Sequence, residues 1–185
     1  MLNEKDLVEE INDKHLFLRK VSKEDFEFLY NSLKQNRVNA FLSLGPLSSL
    51  DHSKRLIDSY LQSWKKLRQF NYIIEKKEGN VRIKVGSISL WNLNWLHRRA
   101  EVGIWLAGSE NFNKGIGTRA VDLITNLGFF HLKLNRIEAH TAVENIYAIK
   151  LFKKCGFKEE GILKEYIRLH GEYHDVLILA RLKNI

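Results

Sequence analysis

Residues 101–118 read Glu-Val-Gly-Ile-Trp-Leu-Ala-Gly-Ser-Glu-Asn-Phe-Asn-Lys-Gly-Ile-Gly-Thr and combine a strand pattern, a loop with glycines and the start of a helix. Alternation of period 2 predicts a strand over residues 100–106 with two faces: Glu101, Gly103 and Trp105 on one, and Val102, Ile104 and Leu106 on the other. From Gly115 to about Phe130 apolar residues return at helical spacing. The stretch therefore predicts a strand that leads through a short loop into an amphipathic helix.

The loop that opens this helix is Asn113-Lys114-Gly115-Ile116-Gly117-Thr118. The first N–H groups of a helix lack intrahelical partners and lie at the positive end of the helix dipole, so they favour a phosphate group. The loop lacks the third glycine of a dinucleotide-binding turn and the Gly-Lys-Ser/Thr ending of a nucleoside-triphosphate loop. It therefore predicts an anion site of another kind, with a plain strand-to-helix turn as the alternative.

The rest of the sequence completes a mixed α/β pattern, which we interpret as a single domain over residues 1–185. The predicted strands lie at 15–20, 72–77, 81–90, 100–106, 136–143, 161–169 and 173–182, and the predicted helices at 22–33, 53–69, 115–130 and 145–155. Gly79 and Asn80 predict a hairpin turn, and Gly156 is expected to end the last helix.

The amino-acid composition limits the partners and the cellular compartment that we expect for this protein. Thirty Lys and Arg residues against 22 Asp and Glu give a net charge of +8, which attracts anionic ligands without selecting one. The basic residues are scattered, so no direct nucleic-acid partner is predicted.

Cys155 is the only cysteine and has the spacing of a buried helix face, so we predict neither a disulfide nor an acyl-carrying thiol. The N-terminus lacks a signal-peptide pattern and no apolar run approaches the roughly 20 residues of a membrane span, so we expect a soluble, cytoplasmic protein without membrane contact.

Residues 101–118 resemble the acetyl-CoA motif of the GNAT N-acetyltransferases, although Phe112 stands where that motif usually has Gln or Arg. Later stretches are similar to the RimJ/RimL-like branch, the ribosomal-protein N-acetyltransferases: Leu-Asn-Arg-Ile-Glu at 134–138, Asn145 six residues before Leu151, Lys-Cys-Gly-Phe-Lys-Glu-Glu-Gly at 154–161, and Gly-Glu-Tyr-His-Asp-Val at 171–176. The resemblance covers about residues 16–182, and its specific motifs begin near residue 100.

The resemblance implies the GNAT acyl-CoA N-acyltransferase fold, an α/β (α+β) fold with a mixed central sheet whose fourth and fifth strands splay apart, flanked by helices. It implies acetyl-CoA as cosubstrate and no metal, with the pyrophosphate on the glycine loop and the pantetheine arm between the splayed strands. The cofactor-binding residues that it implies are Ile104, Trp105, Leu106, Asn113, Lys114, Gly115, Ile116, Gly117, Thr118, Asn145 and Phe152. Asn145 has a second interpretation as a simple helix N-cap.

Acetyl transfer to an amine requires a deprotonated amine, a stabilised oxyanion and a thiol leaving group. Glu101 is the first candidate for general base, with a solvated strand-end carboxylate as the alternative. Glu165 is the second candidate, because the branch's usual carboxylate position is Ile167 here. His140 is the third, because histidine exchanges protons near neutral pH. The family's hydroxyl positions are Ala148 and Phe152, which leaves Tyr147 and Tyr166 as substitutes for the general acid, and a backbone N–H near Leu106 is expected to bind the oxyanion.

We therefore interpret the chain as an acetyl-CoA-dependent N-acetyltransferase that acts directly on a primary amine. The RimJ/RimL-like branch implies a protein N-terminal α-amine as acceptor. The alternative acceptor is a small amine such as a polyamine, an amino sugar or an antibiotic. Trp91 and Trp95 are candidates to line the acceptor pocket. A CoA-binding module without catalysis is the rival interpretation, and both a monomer and a homodimer are compatible with the sequence.

Overall fold

The computed structural model describes residues 7–42 and 44–183, and within them eight strands form one mixed sheet. The strands are β1 (Glu10–Asn12), β2 (Leu16–Lys20), β3 (Phe70–Glu78), β4 (Val81–Asn94), β5 (Arg99–Leu106), β6 (Arg136–Ala142), β7 (Lys158–Leu169) and β8 (Glu172–Leu182). The helices are α1 (Phe26–Leu33), α2 (Asn36–Asn39), α3 (Leu50–Lys65), α4 (Ile116–Asn126) and α5 (Ile146–Lys154).

The strand order across the sheet is β1-β2-β3-β4-β5-β6-β8-β7. The β5–β6 pair is parallel and the other pairs are antiparallel. Parallel neighbours need a crossover connection, and α4 supplies it here. The last strand, β8, inserts between β6 and β7, so the terminal hairpin joins the sheet through its second strand.

The two faces of the sheet carry separate hydrophobic clusters. The larger cluster lies mainly under α4 and α5 and receives Val102 from β5. The smaller cluster lies under α1 and α3, and Trp105 of β5 packs against it, with its ring stacked 5.8 Å from that of Phe28. The predicted division of β5 into two faces is therefore confirmed. None of the helices in the described residues has the length and apolarity needed to cross a bilayer.

Several predicted element ends are confirmed. Gly79 has φ of +60° at the turn between β3 and β4, and Gly156 has φ of +81° just after α5. Asp25, three residues after Ser22, accepts the Ser22 N–H at 2.8 Å and so caps the short 3-10 turn that leads into α1.

Other elements differ from the sequence-based prediction. α3 begins at Leu50 instead of residue 53, because the Ser49 hydroxyl accepts the His52 N–H at 3.1 Å and caps the helix. β4 continues to Asn94, four residues beyond its apolar pattern, because Asn94 pairs with Arg99 of β5 past a bulge. The short elements β1 and α2 were not predicted; each is too brief to show a period.

Candidate active site

The strands β5 and β6 are joined at one end and splayed at the other. They pair through Arg99 with Arg136, Ala100 with Ile137 and Glu101 with Glu138. Further along, β5 stays paired with β4 as far as Leu106, and β6 stays paired with β8 as far as Ala142. The facing edges therefore turn backbone N–H and C=O groups toward a cleft, where an extended ligand with amide groups has partners. The predicted splay is confirmed; the strands are fifth and sixth because β1 precedes them.

The glycine loop positions the start of α4 beside this cleft. Gly115 is the N-cap of α4 with φ of +77°, and Asn113 has φ of +58°, so both residues adopt the left-handed conformation. The first bond of the helix runs from the Arg119 N–H to the Gly115 carbonyl at 3.1 Å. The preceding N–H groups belong to Ile116, Gly117 and Thr118. Since a Cβ at Gly115 would meet open space, a phosphate can approach this backbone.

α5 packs close to this loop. A Cβ at Gly117 would lie 3.3 Å from the side chain of Leu151, so the glycine permits the close approach of the two helices. Asn145 is the N-cap of α5, where its Oδ1 accepts the Ala148 N–H at 3.2 Å. The structure thus shows the capping role of Asn145, and the side-chain amide nitrogen is the group that the resemblance assigns to pantetheine.

Phe152 of α5 and Cys155, the residue that ends the helix, lie in the core. The Phe152 ring is buried and packs 5.3 Å from that of Phe157. Its contact with the cofactor stays a prediction. Cys155 is buried as predicted, its Sγ lies 3.7 Å from the Thr118 carbonyl oxygen, and burial raises the pKa of this thiol to about 11.

Glu101, Glu138 and His140 meet at the point where β5 and β6 part. Glu101 is only 4% exposed, and its Oε1 accepts a hydrogen bond from the Asn92 amide at 2.5 Å. Its Oε2 lies 3.6 Å from Nδ1 of His140. The other ring nitrogen, Nε2, lies 3.1 Å from Oε2 of Glu138. The structure therefore brings two of the three predicted catalytic residues together and adds Glu138.

Among the described residues, two arginines lie beside Glu138, and no ion pair joins an arginine to Glu101. Nε of Arg136 donates to Glu138 at 2.7 Å, and Arg99 lies 3.7 Å away. Burial alone would raise the pKa of Glu138, but the interactions with Arg136 and His140 together outweigh it and the pKa is lowered. Arg136 also forms two hydrogen bonds with Glu160, at 2.8 and 2.5 Å. Glu101, Glu138 and His140 are also metal-binding residue types, with ligand atoms within 4.8 Å of one another, but the guanidinium groups on Glu138 favour an ion-pair network.

The second predicted base, Glu165, lies elsewhere. β7 bulges at residues 164–166, which stand opposite the single residue Asp175 of β8. Glu165 has φ of +49° on this exposed bulge, and its N–H donates to Oδ1 of Asp175 at 2.9 Å. The neighbouring Tyr166 is the bulge residue that reaches the cluster: its ring lies edge-on to His140, with centroids 6.4 Å apart.

Trp91, near the end of β4, and Trp95, in the turn that follows, have different surroundings. Trp91 pairs with Glu101 in the β4–β5 register, and its Nε1 lies 3.6 Å from the Cβ position of Gly103, so it shares the face of Glu101. Trp95 donates its indole N–H to the Leu67 carbonyl at 2.9 Å. Trp91 therefore borders the candidate site. The hydrogen bond of Trp95 instead connects the β4–β5 turn to the segment just after α3.

Two residues of the site carried no functional prediction from the sequence: Asn92 and Glu138. Glu138 had a signal, because Arg-x-Glu-x-His at 136–140 on a strand puts all three polar side chains on one face. Asn92 had none, since it reaches the cluster from a strand irregularity that depends on the partner strand. Tyr166 was predicted as a substitute for the general acid, but its place beside His140 depends on the β7 bulge.

Comparison with known proteins agrees with this geometry. The family model described as an acetyltransferase (GNAT) domain matches residues 15–158. The chain is 30% identical to spermidine N(1)-acetyltransferase of Vibrio cholerae serotype O1 over 161 residues, or 87% of this chain and 89% of that protein. The structure superposes with a TM-score of 0.80 on spermidine N-acetyltransferase from Vibrio cholerae in complex with CoA and spermine, at 28% identity, covering 92% of this chain and 96% of that one.

A further relative belongs to the branch that the sequence resembles. The putative ribosomal N-acetyltransferase YdaF of Bacillus subtilis (strain 168) is 28% identical over 175 residues, which is 92% of this chain and 93% of that protein. The fold, the family and the RimJ/RimL-like resemblance are thereby confirmed. The chain belongs to the GNAT acetyltransferase family and is an N-acetyltransferase.

Proposed function

We propose that this N-acetyltransferase moves the acetyl group of acetyl-CoA directly to a primary amine in the cleft between β5 and β6. The observation that carries the proposal is the separation of these strands after Glu101 and Glu138, beside the open N-terminus of α4. Acetyl-CoA supplies an activated thioester: its C–S bond breaks as the C–N bond forms, and CoA leaves as the thiol. Similarity to a solved structure that contains CoA supports this cosubstrate.

The chain offers three sets of groups to the cosubstrate. The backbone of Ile104, Trp105 and Leu106 on the open edge of β5 pairs with the amides of the pantetheine arm. The loop from Asn113 to Thr118 binds the pyrophosphate through its N–H groups and the helix dipole, with exposed Lys114 adding a positive charge. Asn145 donates its side-chain amide from the start of α5.

Glu101 acts as the general base in this proposal. An amine is a nucleophile only after it has lost a proton, and Glu101 is a buried carboxylate at the end of the cleft. Because Glu138 is compensated by Arg136 and Arg99, Glu101 provides the negative charge that holds an incoming ammonium group. Such a base typically contributes about 10² to 10⁴ in rate.

Two further groups complete the chemistry. The backbone N–H near Leu106 stabilises the negative charge that develops on the carbonyl oxygen. For the general acid, Tyr166 is better placed than Tyr147, because its ring packs against His140. Tyr147 is 81% exposed on the first turn of α5.

Two acceptor classes are supported by relatives of the chain. A protein N-terminal α-amine is supported by the similarity to a putative ribosomal N-acetyltransferase. A polyamine is supported by the similarity to spermidine N(1)-acetyltransferase and to the structure that contains spermine. Trp91 favours either acceptor, since an aromatic face beside a carboxylate attracts an alkylammonium group.

Thiol release in the presence of an acceptor panel tests the proposal. The panel contains spermidine, spermine, an amino sugar, and peptides with free or formylated N-termini, and mass spectrometry identifies each product. We expect one CoA thiol released for each N-acetylated amine, and none with the formylated peptide. Release that matches buffer alone for every amine contradicts the proposed function, and acetylation of spermidine but not of free peptides assigns the polyamine class.

A further inference from the structure

We propose that Glu138 is a positioning residue that holds His140 as a proton relay between Glu101 and solvent. The inference rests on the proposed function, in which Glu101 takes a proton from the amine. It adds a role for a carboxylate that touches neither the proposed amine nor the thioester, and it explains why His140 stands between two carboxylates.

The distances define the orientation of the ring. A neutral imidazole has one N–H donor and one acceptor nitrogen. Nε2 lies 3.1 Å from Oε2 of Glu138, so it is the nitrogen that carries the hydrogen and donates it. Nδ1 lies 3.6 Å from Oε2 of Glu101 and therefore presents its lone pair to that oxygen. The ring is ready to accept a proton from the carboxyl group of Glu101 once Glu101 has taken one from the amine.

Glu138 keeps its negative charge during this step. Nε of Arg136 donates to it at 2.7 Å, and Arg99 lies 3.7 Å away. Burial would raise the pKa of Glu138, but the interactions with Arg136 and His140 together outweigh it and the pKa is lowered. A fixed carboxylate stabilises the imidazolium form of His140 without taking the proton itself. The proton therefore moves from the ammonium nitrogen to Glu101, then to Nδ1 of His140, and leaves from the imidazolium to water.

Burial explains why a relay is useful. The side chain of Glu101 is 5% exposed, and its other oxygen is held by the Asn92 amide. A base in this position must discharge a proton in every turnover, and a neighbouring group with more contact with water provides the route. The His140 side chain is 19% exposed. The charged and titratable groups that face it are Arg99 and Glu101 from β5, Arg136 and Glu138 from β6, and Tyr166 from β7.

Glu138→Gln tests the proposal, because glutamine keeps the size of the side chain and removes its charge. We expect kcat at neutral pH to fall about 10-fold to 100-fold, a part of the about 10² to 10⁴ available to general base catalysis. The pH profile of kcat should differ from that of the wild type, because the variant no longer places a negative charge beside Nε2 of His140. The affinity for CoA should not change. Glu160→Gln is the matched control: it removes the other carboxylate on Arg136 and should leave kcat within about 2-fold.

A double-mutant cycle separates positioning from a merely structural role. Because Glu138 acts through His140, Glu138→Gln should have little further effect on kcat in a His140→Gln background. An equal loss in both backgrounds, or a wild-type pH profile for Glu138→Gln, overturns the inference. If Glu138→Gln does not fold, Glu138→Asp keeps the charge but withdraws it from Nε2, and wild-type kcat for that variant overturns the inference as well. Failure of the wild type to acetylate any amine would instead contradict the proposed function.

Discussion

Glu101 differs from the other carboxylates of the cleft by its partners. Its oxygens face the Asn92 amide and the His140 imidazole, whereas those of Glu138 face the same imidazole and two guanidinium groups. A buried carboxylate without an arginine attracts an ammonium group and can then take its proton. This contrast is the reason to assign the general base to Glu101 instead of Glu138.

We predict that Glu101→Gln lowers kcat/KM for the amine by about 10² to 10⁴, because the amide cannot accept the proton. The loss should be largest at pH values where the acceptor is protonated and should shrink at high pH, where free amine is abundant. Steady-state rates from pH 6 to pH 10 measure it, and calorimetry with CoA provides the control, with unchanged affinity expected. Wild-type rates across this range would remove Glu101 from the mechanism.

The sequence alone indicated part of this site. Glu101 and His140 were predictable because a motif and a strand period located them. The same strand period places Glu138 on the face of His140, so its position in the site could have been predicted. A charged residue on a strand, however, more often indicates a solvated face. Tyr166 was a candidate for the general acid, but its contact with His140 was not predictable, because a three-residue bulge held by Asp175 determines where the ring lies. Bulges depend on the register with a partner strand, which a single sequence does not reveal.

The N-terminus of α4 is predicted to bind the pyrophosphate partly through Lys114. The neighbouring Arg119 is already held by Asp13 through two hydrogen bonds of 2.6 and 2.5 Å, so Lys114 is the exposed cation of the loop. Lys114→Glu should weaken CoA binding about 2-fold to 5-fold, since an exposed charge contributes up to about 1 kcal/mol, and should make affinity less dependent on salt.

Calorimetry at low and physiological ionic strength measures this effect. Lys65→Glu at the exposed end of α3 is the control, because it changes the net charge equally. An identical response of both variants would show that the general field of the protein attracts CoA, and an unchanged affinity for Lys114→Glu would contradict the loop assignment.

Helices and strands with a clear hydrophobic period were predictable from the sequence. Strands whose extent depends on pairing with a neighbouring strand were not. α4 and β5 were located to within a few residues, because their apolar faces bury against the core. β1 has three residues and acquires its structure from pairing with β2, and β4 is extended by pairing with β5. The position of β8 between β6 and β7 is likewise a property of the assembled sheet.

An ion-pair cluster on the α1 face connects the first third of the chain to the sheet. The fully buried carboxylate of Asp25 accepts hydrogen bonds from Arg19 at 2.8 and 2.7 Å and pairs with Lys84 at 2.6 Å. Burial would raise the pKa of Asp25, but the hydrogen bonds from Arg19, Lys84 and the Ser22 N–H outweigh it and lower the pKa to about 2.

We predict that Asp25→Asn lowers the free energy of unfolding at pH 7 by about 3 kcal/mol, because Arg19 and Lys84 lose a buried partner. In the unfolded chain the carboxyl group titrates near its usual value of 3.8, so its contribution is complete above about pH 4 and is lost as the pH falls toward 2. Urea unfolding at several pH values measures the difference between variant and wild type, which should shrink across that window.

Asp51→Asn is the control for this stability prediction. Asp51 makes an exposed pair with Lys54 at 3.3 Å, so the same chemical change should cost less than about 1 kcal/mol. Equal losses for the two variants, or a difference for Asp25→Asn that persists at pH 2, would contradict the assignment of the cluster.

The central claim is that acetyl passes directly from the thioester to an amine bound at the splayed strands, with no acetylated form of the protein. Intact-mass measurement of the protein mixed with acetyl-CoA, before and after addition of an amine, tests this most directly. The account predicts an unchanged protein mass before the amine is added, consistent with the buried Cys155. It predicts acetylated amine and free CoA thiol in equal amounts afterwards. A protein that carries one acetyl group and then loses it to the amine would contradict the account.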